Sequence, residues 1–261
     1  MVVSGQIVPD SFLRLRIGST QSITDNSGPL WVNSGFIEVF DKDTNLLEVL
    51  SNGQSGFYQS LTYKPQANRR YLFKLYGLNR TAWVDETVPD DLNLKLIDTS
   101  SLLYNSSTKH FKIQFELGQI PVNQAAYYSI QLQRTYQKIN GSDTQYLKQY
   151  VDVYSSDLIL TEDARTAFNK KDLLLTNRII KSSPQLLSVH APVILEGQVT
   201  TALDLTVKRI SLSAFDYYSS MYQHLFYQNN PFLQPNALNG NAVGAYGALL
   251  GVNSRQIHIE L

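Results

Sequence analysis

The side chains with the widest chemical range here are four histidines, with acidic residues gathered at two places. Histidine is the commonest general base and metal ligand near neutral pH. His110, His190, His224 and His258 stand far apart along the chain, and nothing in their spacing brings two together, so they read as a scattered set. The His-Glu-x-x-His spacing of a zinc hydrolase is absent. No Gly-x-Ser-x-Gly elbow presents a serine nucleophile; Gly53-Gln54-Ser55-Gly56 is one residue short of it and falls in a hairpin region. Cysteine is absent, which removes thiol nucleophiles, thiolate metal sites and disulfides together. No catalytic residue and no cofactor are assigned, and the chain is expected not to be an enzyme.

The acidic groups offer cation chemistry instead. Asp41, Asp43 and Asn45 place oxygen ligands at alternate positions, as the first half of a calcium loop does. The sixth position is Leu46, where the sharp turn wants glycine, and the twelfth is Asn52, where a bidentate glutamate is wanted. An acidic turn between two strands uses the same residues and is the favoured reading, with calcium as the alternative. Asp85, Glu86, Asp90 and Asp91 surround Pro89 and read as a solvated linker, with a cation site between domains as the alternative.

Aromatic residues are the remaining population with binding chemistry. Phe215, Tyr218, Tyr222, Leu225 and Phe226 recur at spacings of three and four after Ser213, which predicts a helix near 213–228. Ser213 is its expected N-cap, and Asp216 is expected in the first turn, where it suits the helix dipole. Tyr218, Tyr222 and Phe226 fall on the stripe expected to be buried. Tyr217 and Tyr227 point away from it, available to stack on a sugar ring or a partner unless neighbouring loops cover them. Gly240, Gly244, Gly247 and Gly251 are spaced like a membrane-helix contact, but Asn239, Asn241 and Asn253 do not suit lipid. The spacing reads better as strand where another backbone approaches closely.

Lys+Arg and Asp+Glu both number 22. That balance argues against a nucleic-acid partner and against a polybasic membrane surface. No apolar run reaches the ~20 residues of a membrane span, and Met1 to Gly5 has neither the basic region nor the apolar core of a signal peptide.

The elements that must position these groups are mostly strands. Period-two alternation and turn residues predict seven short strands over Val2–Val84, as in a sandwich of immunoglobulin size. Asp85–Asp91 follows as a linker. Phe111–Leu117 and Tyr127–Tyr136 are predicted as strands, with a turn at Asn140-Gly141 before Tyr146–Tyr154. Glu162–Lys171 suits a short helix, and Leu173–Ile180 suits either helix or strand. Gln198–Ser211 alternates well, and Gln256–Leu261 reads as a closing strand.

Several segments, in order, resemble one family. Ser211-Leu212-Ser213-Ala214-Phe215-Asp216-Tyr217 resembles its Ser-x-x-x-x-Asp-Tyr entry to a helix. Asn230-Pro231-Phe232-Leu233-Gln234-Pro235 resembles its Asn-Pro-Phe-x-x-Pro segment, and Asn239 to Ala248 its Asn- and Gly-rich one. Near the start, Val2-Val3-Ser4-Gly5, Gly35 to Val39, Gly56-Phe57-Tyr58 and Arg70-Tyr71-Leu72-Phe73 resemble its opening strands. This is domain-of-unknown-function family 4249, secreted lipoproteins of Bacteroidota. The resemblance implies a lipidated cysteine upstream of residue 1. It also implies a place at the outer membrane or cell surface, held by lipid, and a link to TonB-dependent outer-membrane receptors.

The expected fold is mainly β, with two β-sandwich-like domains. Residues 1–92 form an immunoglobulin- or transthyretin-like sandwich, and 93–261 form a β domain with the helix near 213–228 packed on it. The leading expectation for function is a lipid-anchored accessory or binding protein of a TonB-dependent uptake system, engaging the receptor or a glycan or protein ligand. The alternatives are a cell-surface adhesion or carbohydrate-binding module and, less favoured, a hydrolase assembled from distant residues.

Overall fold

A computed structural model of the chain describes residues 1–20, 30–52, 54–104, 108–118, 124–140, 143–157, 160, 169–177, 184–195, 198–228 and 237–261. The fold is mainly β, as expected, and the chain divides into two compact units.

The first unit takes Met1–Asp91 and Ile210–Asn253. Its strands are β1 (Val2–Ile7), β2 (Arg14–Gly18), β3 (Gly35–Asp41), β4 (Leu46–Asn52), β5 (Phe57–Gln59), β6 (Arg69–Gly77), β7 (Arg80–Val88) and β16 (Ala242–Val243), together with the start of β17 (Tyr246–Glu260). They run in the spatial order β17-β1-β2-β5-β4-β3-β6-β7-β16. All these pairs are antiparallel except β1 with β17, which is parallel. The body of β4 pairs with β3, while Ser51 and Asn52 at its end pair with β5, so β4 joins two sheet segments in a sandwich-like arrangement. Alternation sets the core. Tyr71, Phe73 and Leu75 of β6, and Ala82, Val84 and Val88 of β7, point inward with Val3, Leu15, Ile37 and Leu50. Each such large apolar side chain contributes about 1.5–3 kcal/mol on burial.

The second unit takes Leu92–Arg209 and Ser254–Leu261. It contains β8 (Asn93–Tyr104), β9 (Thr108–Gly118), β10 (Tyr127–Asn140), β11 (Asp143–Val151), β12 (Leu173–Thr176), β13 (Gln185–Pro192), β14 (Ile194–Leu195) and β15 (Gln198–Ile210, to Arg209). β13, β9 and β8 make a three-stranded antiparallel sheet; β11, β10 and β15 lie side by side, with β12 on β10 and β14 on β15. Ile113, Phe115 and Val189 from the first group share one core with Ile130, Leu132, Leu203 and Leu205 from the second.

Three expectations change. Residues 93–261 do not form one domain, because 210–253 returns to the first unit, where the parallel pairing of β1 with β17 holds it. The helix, α1 (Leu212–Gln228), therefore belongs to that first unit. Residues 85–88 are not linker but the end of β7, whose alternation continues to Val88. The expected helix over Glu162–Lys171 lies almost wholly outside the described residues. Leu173–Thr176 resolves as strand.

Candidate binding site

Asp85, Glu86 and Asp91 of the expected linker have separate fates. Asp85 points outward from β7 and pairs with Arg70, whose Nε lies 2.7 Å from Oδ1. That hydrogen bond holds the Asp85 carboxyl below its usual range. Asp91 accepts a hydrogen bond of 2.9 Å from the buried Asn253 amide. Glu86 follows the inward row of β7 and is 2% exposed. Burial pushes its carboxyl above the usual range, against the pull of hydrogen bonds from Ser211, Ser213 and backbone amides. Ser213 Oγ donates to Glu86 Oε2, and Asn241 Nδ2 donates to the same oxygen at 2.6 Å. Asn241 also bonds Leu249 through both backbone groups, at 2.7 and 3.0 Å. A Cβ on Gly251 would lie 2.2 Å from the Thr87 carbonyl and 3.0 Å from Glu86 Oε1, so only glycine lets β17 approach here.

This cluster ties the start of α1 and the 241–251 segment to β7. The N-cap is Ser211 rather than Ser213, since Ser211 Oγ accepts from Ala214 N at 3.1 Å. Ser213 is thereby freed for Glu86. Asp216 is exposed and falls beyond the first turn, which holds no acid.

At the expected calcium turn, the Asp41 carboxylate is the turn's own acceptor. Its Oδ1 receives Asp43 N at 2.9 Å and Asn45 N at 2.8 Å, and its Oδ2 receives the Asn45 amide at 2.9 Å. Asn45 thus presents its NH2 rather than its oxygen. These bonds hold Asp41 below the usual carboxylate range, the Asn45 side chain contributing most. Asp43 pairs with Lys42 at 3.1 Å. Arg69 and Arg70 line the adjacent small cavity, a setting that disfavours a bound cation. Among the described residues no group of three or more His, Cys, Asp or Glu side chains could hold a metal ion.

On α1, Tyr217 and Tyr227 are half-buried, with rings edge-on to Tyr218 at 6.0 Å and to Phe226 at 5.7 Å. Tyr222 is buried as expected, but Phe226 is 51% exposed and Leu225 50%. The spacing locates a stripe without showing how far along the helix its cover extends.

Two of the four histidines meet. His110 on β9 and His190 on β13 face each other across the paired strands, Nδ1 to Nδ1 at 2.9 Å, with the Tyr154 ring stacked on His190. Burial pushes both below the usual imidazole range, His190 to about 4. His258 Nδ1 meets Asp204 Oδ1 at 2.6 Å, while Lys148 Nζ meets Oδ2 at 2.9 Å. Burial works against the Asp204 charge, and these partners still hold its carboxyl below the usual range. Strand register brings both pairs together, and spacing along the sequence carries no sign of register.

A different place keeps its polar groups uncommitted. The β6–β7 hairpin turns through Leu78 and Asn79, both at φ 54°. Beside it lies a cleft of about 500 Å³ lined by Ser34, Tyr76, Asn79, Arg80 and Thr81. The side chains of Ser34, Asn79, Arg80 and Thr81 make no hydrogen bond or ion pair with any described residue. Tyr76 is the fixed element: its hydroxyl donates to Glu38 at 3.0 Å and its ring stacks on Phe36 at 4.3 Å. Lys74 Nζ lies over the rings of both Tyr76 and Trp83, at 5.0 and 4.7 Å. Sequence reading missed this cleft. The signal available to it was the turn Gly77-Leu78-Asn79-Arg80 beside alternating aromatics.

A family model described as Domain of unknown function (DUF4249) matches residues 1–258. No curated protein matches the chain.

Proposed function

This chain belongs to the DUF4249 family, and on that footing we propose that it is a non-catalytic binding protein, held at the outer membrane or cell surface by lipid and serving a TonB-dependent uptake system. One contrast supports the binding part of this reading, while the lipid anchor and the uptake partner follow from the family resemblance alone. The acids and imidazoles with the strongest chemistry, Glu86, Asp204, His110 and His190, are bound to the protein's own groups. The cleft at the β6–β7 hairpin instead offers an amide, a guanidinium and hydroxyls with no described partner, beside a pre-set ring. Uncommitted donors and acceptors in one cleft suit recognition, which needs surface groups ready to exchange water for ligand. A mainly β scaffold with a tight hairpin at its edge holds such groups in place without moving parts.

The test is affinity isolation of the native lipidated protein from its own outer membrane, solubilised in mild detergent. A TonB-dependent receptor should co-purify in stoichiometric amount. Recovery of the protein from the soluble fraction, or from the membrane with no receptor, would reject the uptake reading.

A further inference from the structure

We propose that the cleft beside the β6–β7 hairpin binds an acidic sugar, a pyranose ring carrying a carboxylate beside its hydroxyls; this rests on the reading of the protein as a binding module. Charge comes first. Arg80 is the one ionised side chain lining the cleft among the described residues, and no carboxylate lines it. An exposed planar guanidinium with no described partner is a fork matched to the two oxygens of a carboxylate. A neutral ligand would leave that charge unanswered.

Ser34, Asn79 and Thr81 supply the complement of a hydroxylated ring. Sugar hydroxyls both donate and accept, and so do an amide and two hydroxyls. Tyr76 gives the cleft a fixed wall, held by Glu38, by the stacked Phe36 ring and by Lys74 over its own ring, so the sugar is gripped through polar contacts rather than by stacking. The volume, about 500 Å³, lies in the range of small-molecule sites.

The hairpin backbone fixes where these groups stand: the two-residue turn needs positive φ at both Leu78 and Asn79, and both sit at 54°, as in a type I′ hairpin. An acidic peptide would also offer carboxylates to Arg80. An extended peptide, however, binds sheets through free backbone groups, and those of Gly35, Gly77 and Arg80 are already paired across β3, β6 and β7.

The experiment is calorimetric titration of the full chain with glucuronate and digalacturonate, set beside glucose, acetate and a short acidic peptide. Glucuronate should bind, digalacturonate more tightly, and glucose and acetate should each bind roughly tenfold or more weakly, as expected when one half of the contacts is lost. Arg80→Gln should weaken glucuronate by roughly tenfold or more, the loss of a charge-assisted pair, with an unchanged melting temperature because Arg80 is exposed. Asn79→Ala should weaken it less. Glucose binding as well as glucuronate, a peptide binding better than digalacturonate, full affinity in Arg80→Gln, or no binding by any sugar would overturn the proposal. Failure here with a receptor still co-purifying removes only the sugar; sugar binding without a receptor removes only the uptake partnership.

Discussion

Removing the Glu86 carboxylate tests the account of the helix foot most directly. Glu86→Ala deletes the acceptor for Ser213 Oγ and Asn241 Nδ2, and for Thr87 N at 3.2 Å. Thr87 is exposed, so water can take over its amide. Asn241 keeps the Leu249 carbonyl at 2.7 Å. Ser213, Asn241, Ser211 and the Gly251 amide then lose a buried acceptor, at about 1–3 kcal/mol for each that finds no other partner, and the side-chain stem leaves a small void. The expected loss is about 3–5 kcal/mol. Trp31 and Trp83 are the two tryptophans of the chain and both lie in the first unit, so tryptophan fluorescence during urea unfolding reads that unit alone. Glu86→Gln adds a pH test. Because burial raises the folded carboxyl, the native state keeps a proton that the unfolded chain gives up. The stability from this linkage is complete below the ordinary carboxylate range and is lost as pH rises through the raised folded value. Glutamine does not titrate, so the destabilisation by Glu86→Gln should be largest in acid and shrink as pH rises. A loss under 1 kcal/mol for Glu86→Ala, or a Glu86→Gln penalty that grows towards neutral pH, would refute the reasoning.

The second unit should lose stability as pH falls from the ordinary histidine value of 6.5 towards about 4, because in that interval the unfolded chain takes up a proton that the folded His190 does not. His190→Gln should flatten that acid limb, read as urea midpoints by circular dichroism in the transition that tryptophan fluorescence does not report; an unchanged limb would count against a neutral pair. Gly247 sits at φ 98°, paired with Val3, and an added Cβ would lie 2.0 Å from the Val3 carbonyl. Gly247→Ala should therefore cost about 3 kcal/mol or more and lower the fluorescence-detected melting temperature of the first unit, with an unchanged value as the contrary result.

Much of the first unit is legible from local pattern. Tyr71 to Gly77 and Ala82 to Val88 each alternate in burial, and Leu78-Asn79 between them marks the hairpin. Glu86 was legible too, since Val84, Glu86 and Val88 keep one phase, but acidic neighbours disguise an inward carboxylate as linker. β8 and β13 escape because they carry exposed apolar and polar residues with no clean period, and their places come from pairing with β9. The helix appears from its 3.6-residue spacing, while its membership in the first unit depends on the distant β1–β17 contact. Contacts over such separations decide the cleft as well: Ser34 reaches Arg80 only through the pairing of Gly35 with Gly77.

The parallel pairing of Val2–Ile7 with Tyr246–Gly251 has a bearing on biogenesis. The first of these strands is synthesised long before the second. Until Tyr246–Gly251 is made, Val2–Ile7 has one vacant side, and the first unit cannot finish closing however quickly its hairpins form. That delay makes a holding chaperone most useful in the interval before Tyr246–Gly251 arrives.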